Sequence, residues 1–425
     1  MIESGASEVG SLGKYSLVAT LGGSAATQTY LALDPARGET SPTVFALKQV
    51  QREIAARDPR RAASFLEGAR LGARMSHPNV VRSIDVGEDD GVPFVVTEFL
   101  EGQSLDVILR RVAKSGHPLP VGVALRIACD ALDGAHHIHE LLDFGGKPMG
   151  LVHSDINPSN VFVTYSGLTK LLDFSLGSSA TEHEKTHTGE MNVRLPYVAP
   201  ELLRDEAVSA SSDVWSIATC LWEMLAGERL FSGKNNFQTI QNVVVARSVP
   251  TLASRRSDVP AWLDVMLARA LVRDPSARFS RAIEFKTAIE REAGAAGLVL
   301  GTDDVATTVR DLFADFIGEQ RALVEALVES RLASGKMRVV PTSRGSVRPR
   351  RLLVPADTLD AASQPAAVAG PTVLMPLVPR LPHADALAAQ LAERMENPPR
   401  PLSHWLVLAA SAALLAVMAY VVLFR

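Results

Sequence analysis

An α+β fold built from more than one unit is predicted by three features of the sequence. Apolar and β-branched runs crowd the first hundred residues: YSLVATL from Tyr15, TYLAL from Thr29, FALK from Phe45 and VPFVVTEF from Val92. Runs of this length, bounded by Gly, Pro, Asn or Ser, read as strands. From Val121 onward apolar residues recur at three- and four-residue spacing, the helical period. A length of 425 residues also exceeds what one ordinary compact core organises.

Composition narrows the functional classes. The net charge is -4 with no global basic bias, so a nucleic-acid partner is not expected. Cys129 and Cys220 both sit inside apolar helical patterns and read as core residues rather than a disulfide or a metal site. That usage fits a reducing compartment. The opening stretch MIESGASEVGSLGKYS has no basic region followed by an apolar run, so no signal peptide is expected.

Taken in order, residues 1–13 are rich in Ser and Gly and form a flexible tail. The strands from Tyr15 and Thr29 flank the turn Gly22-Gly23-Ser24-Ala25-Ala26-Thr27, which alone reads as a plain hairpin turn. Phe45-Ala46-Leu47-Lys48 is a strand ending in one lysine, and a snorkelling edge lysine is the bland alternative. A helix is predicted from Arg60 to Met75, with Phe65, Leu66, Ala69, Leu71 and Met75 on its apolar side; Ser76-His77-Pro78-Asn79 ends it. Val92 to Phe99 reads as a buried strand, and Val121 to Leu142 as a helix closed by His136, His137 and His139. Those histidines read as helix-end and core residues, because no metal partners accompany them. Asp143-Phe144-Gly145 lies in a turn, DFGGKPMG, and reads as a surface connection.

The chemistry concentrates in Leu151 to Val163, LVHSDINPSNVFV, followed by Leu171-Leu172-Asp173-Phe174-Ser175. Asp155, Asn160 and Asp173 are separated by 5 and 18 residues. A carboxylate takes up a hydroxyl proton, while an amide and a second carboxylate suit a hard cation that keeps phosphate and water in its shell.

That order and spacing resemble the protein kinases, whose catalytic loop H-R-D-x-x-x-x-N precedes D-F-G. The resemblance covers about residues 14 to 293 and is closest to the bacterial serine/threonine kinases. It implies a bilobal fold, small lobe 14–100 and large lobe 101–294, with ATP and Mg²⁺ between. By position, Asp155 accepts the hydroxyl proton, Asn160 and Asp173 hold Mg²⁺, and Lys48 clamps phosphates. The loop from Leu21 through Gly22 to Thr29 covers them. Thr97 is the gatekeeper beside the adenine, and the backbone of Glu98 and Leu100 bonds its edge. Asp213 braces the catalytic loop, and Arg278 of LVRDPSARF pairs with Glu201 of Ala199-Pro200-Glu201.

Several positions depart from the family pattern. Ser24 and Thr27 replace two loop glycines, Gly68 stands where the helix glutamate belongs with Glu67 one residue away, and Ser154, Asn157 and Ser175 replace Arg, Lys and Gly. The activation segment from Asp173 to Glu201 carries Ser178, Ser179, Thr181, Thr186 and Thr188, and its His183, Glu184 and His187 read as a solvated loop. The resemblance therefore implies a serine/threonine kinase acting on a protein substrate, with a membrane-tethered pseudokinase scaffold as the alternative.

Beyond this region, an amphipathic helical extension is expected over 302–335, from Thr302 toward Arg331, docked on the large lobe. Residues 336–404 have linker composition: 11 of the 25 prolines fall between 336 and 401, and Lys336 to Arg351 carries six basic residues and no acid. Trp405 to Phe424 are twenty residues, all apolar but Ser411, enough to span about 30 Å of hydrocarbon. A single-pass membrane helix is expected there, with the kinase region on the cytoplasmic side.

Overall fold

The computed structural model describes residues 10–34, 43–174, 194–245 and 248–333. The interior of the activation segment, the linker and the apolar stretch 405–424 lie outside the described residues. Among the described residues no helix is long and apolar enough to cross a membrane.

The small lobe is a six-stranded antiparallel sheet ordered β1-β2-β3-β4-β6-β5. Its strands are β1 (Ser11–Leu12), β2 (Tyr15–Gly23), β3 (Thr27–Leu33), β4 (Val44–Val50), β5 (Ser83–Asp89) and β6 (Val92–Glu98). Tyr15, Leu17, Phe45, Leu47, Phe94 and Val96 form its core on one face, as alternation requires. The register sets Thr29 opposite Lys48 and Ala46 opposite Thr97, which aligns the turn, the lysine strand and Thr97.

Two helices follow β4: α1 (Arg52–Arg57) and α2 (Pro59–Gly72). Asp58 caps α2 by accepting from Arg61 N at 3.1 Å, and Pro59 occupies the first turn, where its missing N–H costs nothing. The helix stops three residues earlier than the sequence pattern indicates, before the His77-Pro78-Asn79 turn. Asn79 then bonds Thr169 O through its side chain at 2.8 Å, and its carbonyl accepts Leu171 N at 2.9 Å.

The large lobe opens with β7 (Gly102–Ser104), α3 (Leu105–Ser115) and α4 (Val121–His139). A second sheet joins β7 to β8 (Val161–Thr164) and β9 (Thr169–Leu171). After the short α5 (Pro200–Leu203), α6 (Ala210–Ala226) is buried at every residue from Ser211 to Leu225, including Trp215 and Trp222. A capping box between Ser209 and Ser212 starts it, and Gly227 at φ 73° ends it. The lobe is completed by α7 (Asn236–Val245), α8 (Ala261–Ala270) and α9 (Ala282–Ala295). The loop Asp143-Phe144-Gly145 is a surface turn, with Phe144 98% exposed under the Arg74 guanidinium.

The C-terminal extension is two helices, α10 (Thr302–Leu312) and α11 (Ala314–Ala333), broken at Phe313. Val305, Ala306 and Val309 bury α10 in the large lobe. Gly167 makes this approach possible: a Cβ there would meet Thr302 O at 2.1 Å, and φ is +88°. The large lobe is not the only docking face. Val324 and Val328 of α11 pack against Leu33, Val18 and Val44 of the small-lobe sheet, and Arg331 donates to Ser16 Oγ at 2.8 Å. The helix thus straps one lobe to the other.

Candidate active site

Lys48 ends on the carboxylate of Asp173, Nζ to Oδ2 at 2.6 Å. The helix residue that would orient the lysine in the family is absent. Gly68 is buried and has no side chain to offer, while Glu67 points to solvent. The shift that would let Glu67 substitute does not occur, and Asp173 takes the lysine. Burial pushes the Asp173 carboxyl up, but the charge and hydrogen bond of Lys48 outweigh it and hold the group below the usual range. Asp173 adopts φ +56°, a left-handed conformation that non-glycine residues hold only when their surroundings impose it.

The catalytic-loop candidates are tied to one another. Asn160 Nδ2 donates to Asp155 O and to Asp155 Oδ2, both at 2.9 Å. Asn157 Nδ2 donates to Asp155 O and Oδ1, both at 3.0 Å. Leu172 N donates to Asn160 O at 2.8 Å, which joins this loop to the segment carrying Asp173. His153 is fully buried; its Nε2 meets Leu172 O at 2.9 Å, its Nδ1 accepts Asp155 N at 3.4 Å, and Phe174 sits edge-on to its ring. Those partners assign the proton to Nε2.

Beneath the loop, Asp213 of α6 accepts His153 N at 2.8 Å, Ser154 N at 2.9 Å and His139 Nε2 at 2.8 Å. These bonds hold Ser154 at φ +62° and fix the turn that presents Asp155. Burial raises the Asp213 carboxyl, and His139 together with the loop's N–H groups more than offsets it, so its pKa lies below the usual range. Arg278 grips Glu201 through Nη1 and Nη2, both at 2.7 Å and fully buried, which anchors the end of the activation segment.

The nucleotide-binding candidates line the other side. Gly22 pairs with Thr29, and Thr29 with Lys48. Leu21 is half-buried on β2. Ser24 Oγ accepts Ala26 N and Thr27 N at 3.1 Å each and lies 3.1 Å from Thr27 Oγ1, so the two glycine replacements clasp each other. Thr97 Oγ1 reaches Ala46 O at 3.4 Å. Glu98 closes the β6 ladder, and Leu100 lies beyond it. The Glu98 carboxylate is turned to Lys170 Nζ at 2.7 Å and Arg82 N at 2.9 Å.

Two contacts are not indicated by the sequence pattern. Arg194 Nη1 lies 3.0 Å from Asp155 Oδ2. Arg321 of α11 meets Glu101 beside the hinge, the segment between β6 and β7 that joins the two lobes. The only sequence mark of the first is a basic residue seven positions before Glu201.

The site's chemistry fits a divalent cation with few protein ligands. The Asn160 amide nitrogen is spent on Asp155, so its carbonyl oxygen is the atom left for a cation, and Asp173 supplies an ionised carboxylate. Two hard oxygens suit Mg²⁺, which takes its remaining ligands from phosphate and water. Among the described residues no cluster of three or more His, Cys, Asp or Glu forms an all-protein metal cage.

Comparison with known proteins gives the same outline. A tyrosine-protein kinase, MasK, from Myxococcus xanthus is 32% identical over 226 residues, 53% of this chain and 35% of that protein. The serine/threonine-protein kinase PknB of Mycolicibacterium smegmatis is 29% identical over 249 residues, 57% of this chain and 38% of that protein. The matches thus span little more than a third of these relatives. The crystal structure of the Mycobacterium tuberculosis PknI kinase domain superposes with a TM-score of 0.53 at 26% identity, covering 68% of this chain and 99% of that domain. The protein kinase domain family matches residues 15–290, and the chain belongs to it.

Proposed function

We propose that the chain is a protein kinase that transfers the γ-phosphate of ATP to serine or threonine hydroxyls of a protein substrate. One observation carries this reading: Lys48, Asp155, Asn160 and Asp173 belong to a single network, closed by Lys48–Asp173 at 2.6 Å, Asn160–Asp155 at 2.9 Å and Leu172–Asn160 at 2.8 Å. The serine/threonine assignment draws on the names of the PknB relatives, and MasK makes tyrosine the competing acceptor.

Bound Mg²⁺ supplies charge neutralisation at the phosphates. The chain's own residues do the rest. Asn160 and Asp173 hold the cation, and Lys48 is shared between Asp173 and the phosphates. Leu21, Gly22 and Thr29 cover the phosphates, while Thr97 and the backbone of Glu98 and Leu100 seat the adenine. Asp155 orients the acceptor hydroxyl and takes its proton. Incorporation of labelled γ-phosphate by the full chain into serine, threonine and tyrosine acceptors tests the reading. Transfer abolished by Asp155→Asn is the expected result, and no transfer to any acceptor refutes it.

The scaffold reading draws on two observations: the Ser24–Thr27 clasp turns loop N–H groups inward, and Lys48 has no helix glutamate. A chain that gains thermal stability with Mg-ATP yet transfers no phosphate would establish it. For localisation, the apolar stretch 405–424 would anchor the chain by one helix, with the kinase region on the cytoplasmic side where ATP is available. Loss of membrane sedimentation on deleting Trp405–Arg425 is expected; persistence in the pellet refutes the anchor.

A further inference from the structure

The catalytic loop His153–Asn160 contains no lysine or arginine, and Asn157 offers Asp155 an amide where a charge is chemically useful. The positive charge beside Asp155 arrives from another part of the chain. Arg194 Nη1 contacts Oδ2 at 3.0 Å, the oxygen that also accepts Asn160 Nδ2, while Asn157 Nδ2 donates to Oδ1.

The delivery is anchored. Arg194 heads a short helical turn, Leu195–Tyr197, whose three residues are all buried, and Tyr197 O accepts Ser216 Oγ of α6 at 2.8 Å. The arginine side chain itself is 38% exposed, whereas that of Asp155 is 10% exposed, so the guanidinium stands at the open side of the carboxylate.

We propose that Arg194 supplies in cis the cation that the catalytic loop lacks, orienting Asp155 and stabilising the phosphoryl group in transfer. The proposal rests on the kinase reading above. In the step, the acceptor oxygen forms its bond to the γ-phosphorus as the bond from that phosphorus to the bridging oxygen breaks. The electron pair leaves on ADP, and the hydroxyl proton passes to Asp155. Arg194 stays protonated throughout; its planar fork can touch a carboxylate and a phosphoryl oxygen together. Preorganised donors of this kind are worth about 100- to 1000-fold in rate.

The test compares the full chain with Arg194→Ala, Arg194→Lys and the double variant Arg194→Ala/Asn157→Lys. The measurements are kcat, thermal melting, and calorimetric affinity for MgADP with and without aluminium fluoride, a planar anionic mimic of the phosphoryl group. Arg194→Ala should melt like wild type and bind MgADP alike. It should lose about 100-fold in kcat and lose any added affinity for the aluminium fluoride complex. Arg194→Lys should fall between, and the double variant should recover about tenfold or more over Arg194→Ala by restoring a charge at Asp155. An Arg194→Ala chain as fast as wild type, or faster, overturns the proposal, as does an unaltered preference for the aluminium fluoride complex. If wild type neither transfers phosphate nor prefers that complex, the kinase reading itself has failed and the proposal falls with it.

Discussion

Arg321 on α11 donates through Nε and Nη2 to the two carboxylate oxygens of Glu101, each at 3.0 Å, directly beside the hinge. On one side of this pair, Tyr165 OH donates to Gln320 Oε1 at 3.1 Å; on the other, Val324 and Val328 pack against Leu33, Val18 and Val44 of the small-lobe sheet. The helix crosses the hinge as one continuous element, so its docking couples the separation of the lobes to its own attachment.

The apolar contact, not the ion pair, should carry that attachment. Arg321 and Glu101 are each more than half exposed, and such pairs contribute less than about 1 kcal/mol. Val328 is only 4% exposed, and burying a valine contributes about 2 kcal/mol. Val328→Asp should therefore strip hydrogen-exchange protection from α11 and β2 while α6 stays protected, and Arg321→Ala should change either little. Equal protection of β2 in wild type and Val328→Asp would refute the strap.

Lys48, Asp155, Asn160 and Asp173 were legible as candidates because Lys48 lies within a short strand and the other three in tight loops, where spacing along the chain maps directly onto space. The buried Arg278–Glu201 pair was legible for the same reason, each partner being embedded in a local motif. The strap was not. An apolar stripe on a helix states that a partner exists, and Val305 and Val309 found the large lobe while Val324 and Val328 found the small one. The break at Phe313 that redirects the second half has no proline or glycine to announce it. Arg194 was hidden differently, because its target lies 39 positions earlier and a surface arginine in a loop has no periodicity to betray it.

Glu223 sets a pH dependence of stability. It is buried on α6, accepting Tyr197 OH at 2.7 Å and Leu230 N at 3.3 Å, and burial pushes its pKa up to about 7. A carboxyl raised in the folded state favours folding when it is protonated. Its contribution is complete below the unfolded value near 4.5 and is lost as pH rises through about 7. The penalty above that range is about 3 kcal/mol. Glu223→Gln should flatten the change in denaturant stability between pH 5 and pH 8 by roughly this amount. The amide offers one acceptor oxygen where the carboxylate offers two, to Tyr197 OH and Leu230 N, so the slope is the informative quantity, and a slope identical to wild type would contradict the assignment.

Lys48 and Asp155 should separate binding from chemistry. In the proposed mechanism Lys48 shares its charge between Asp173 and the phosphates, so Lys48→Met should weaken Mg-ATP binding by about 10-fold or more, as losing a charge-assisted contact does. The same mechanism has Asp155 act on the acceptor, so Asp155→Asn should leave nucleotide affinity within a few-fold while removing transfer. Calorimetry and single-turnover transfer on the two variants decide this; an Asp155→Asn chain that no longer binds Mg-ATP would show that the loop's role is nucleotide binding instead.

The glycine-replaced loop offers a direct test of how the turn meets the phosphates. Ser24 Oγ holds Ala26 N and Thr27 N, and Ser24 N is bonded to Thr27 O at 2.7 Å, so the turn satisfies its own donors. A phosphate must compete for those N–H groups, although its charged oxygens make the stronger bonds. Removing the hydroxyl frees both donors without loosening the backbone, which is why Ser24→Ala is cleaner than Ser24→Gly, whose added chain entropy acts in the opposite sense. A net neutral hydrogen bond is worth about 1 kcal/mol, so Ser24→Ala should tighten Mg-ATP binding by about fivefold. Adenosine carries no phosphate and should bind both chains alike. Tighter Mg-ATP binding with unchanged adenosine binding is the expected result; weaker Mg-ATP binding would mean that the Ser24 hydroxyl holds the loop in its phosphate-binding shape.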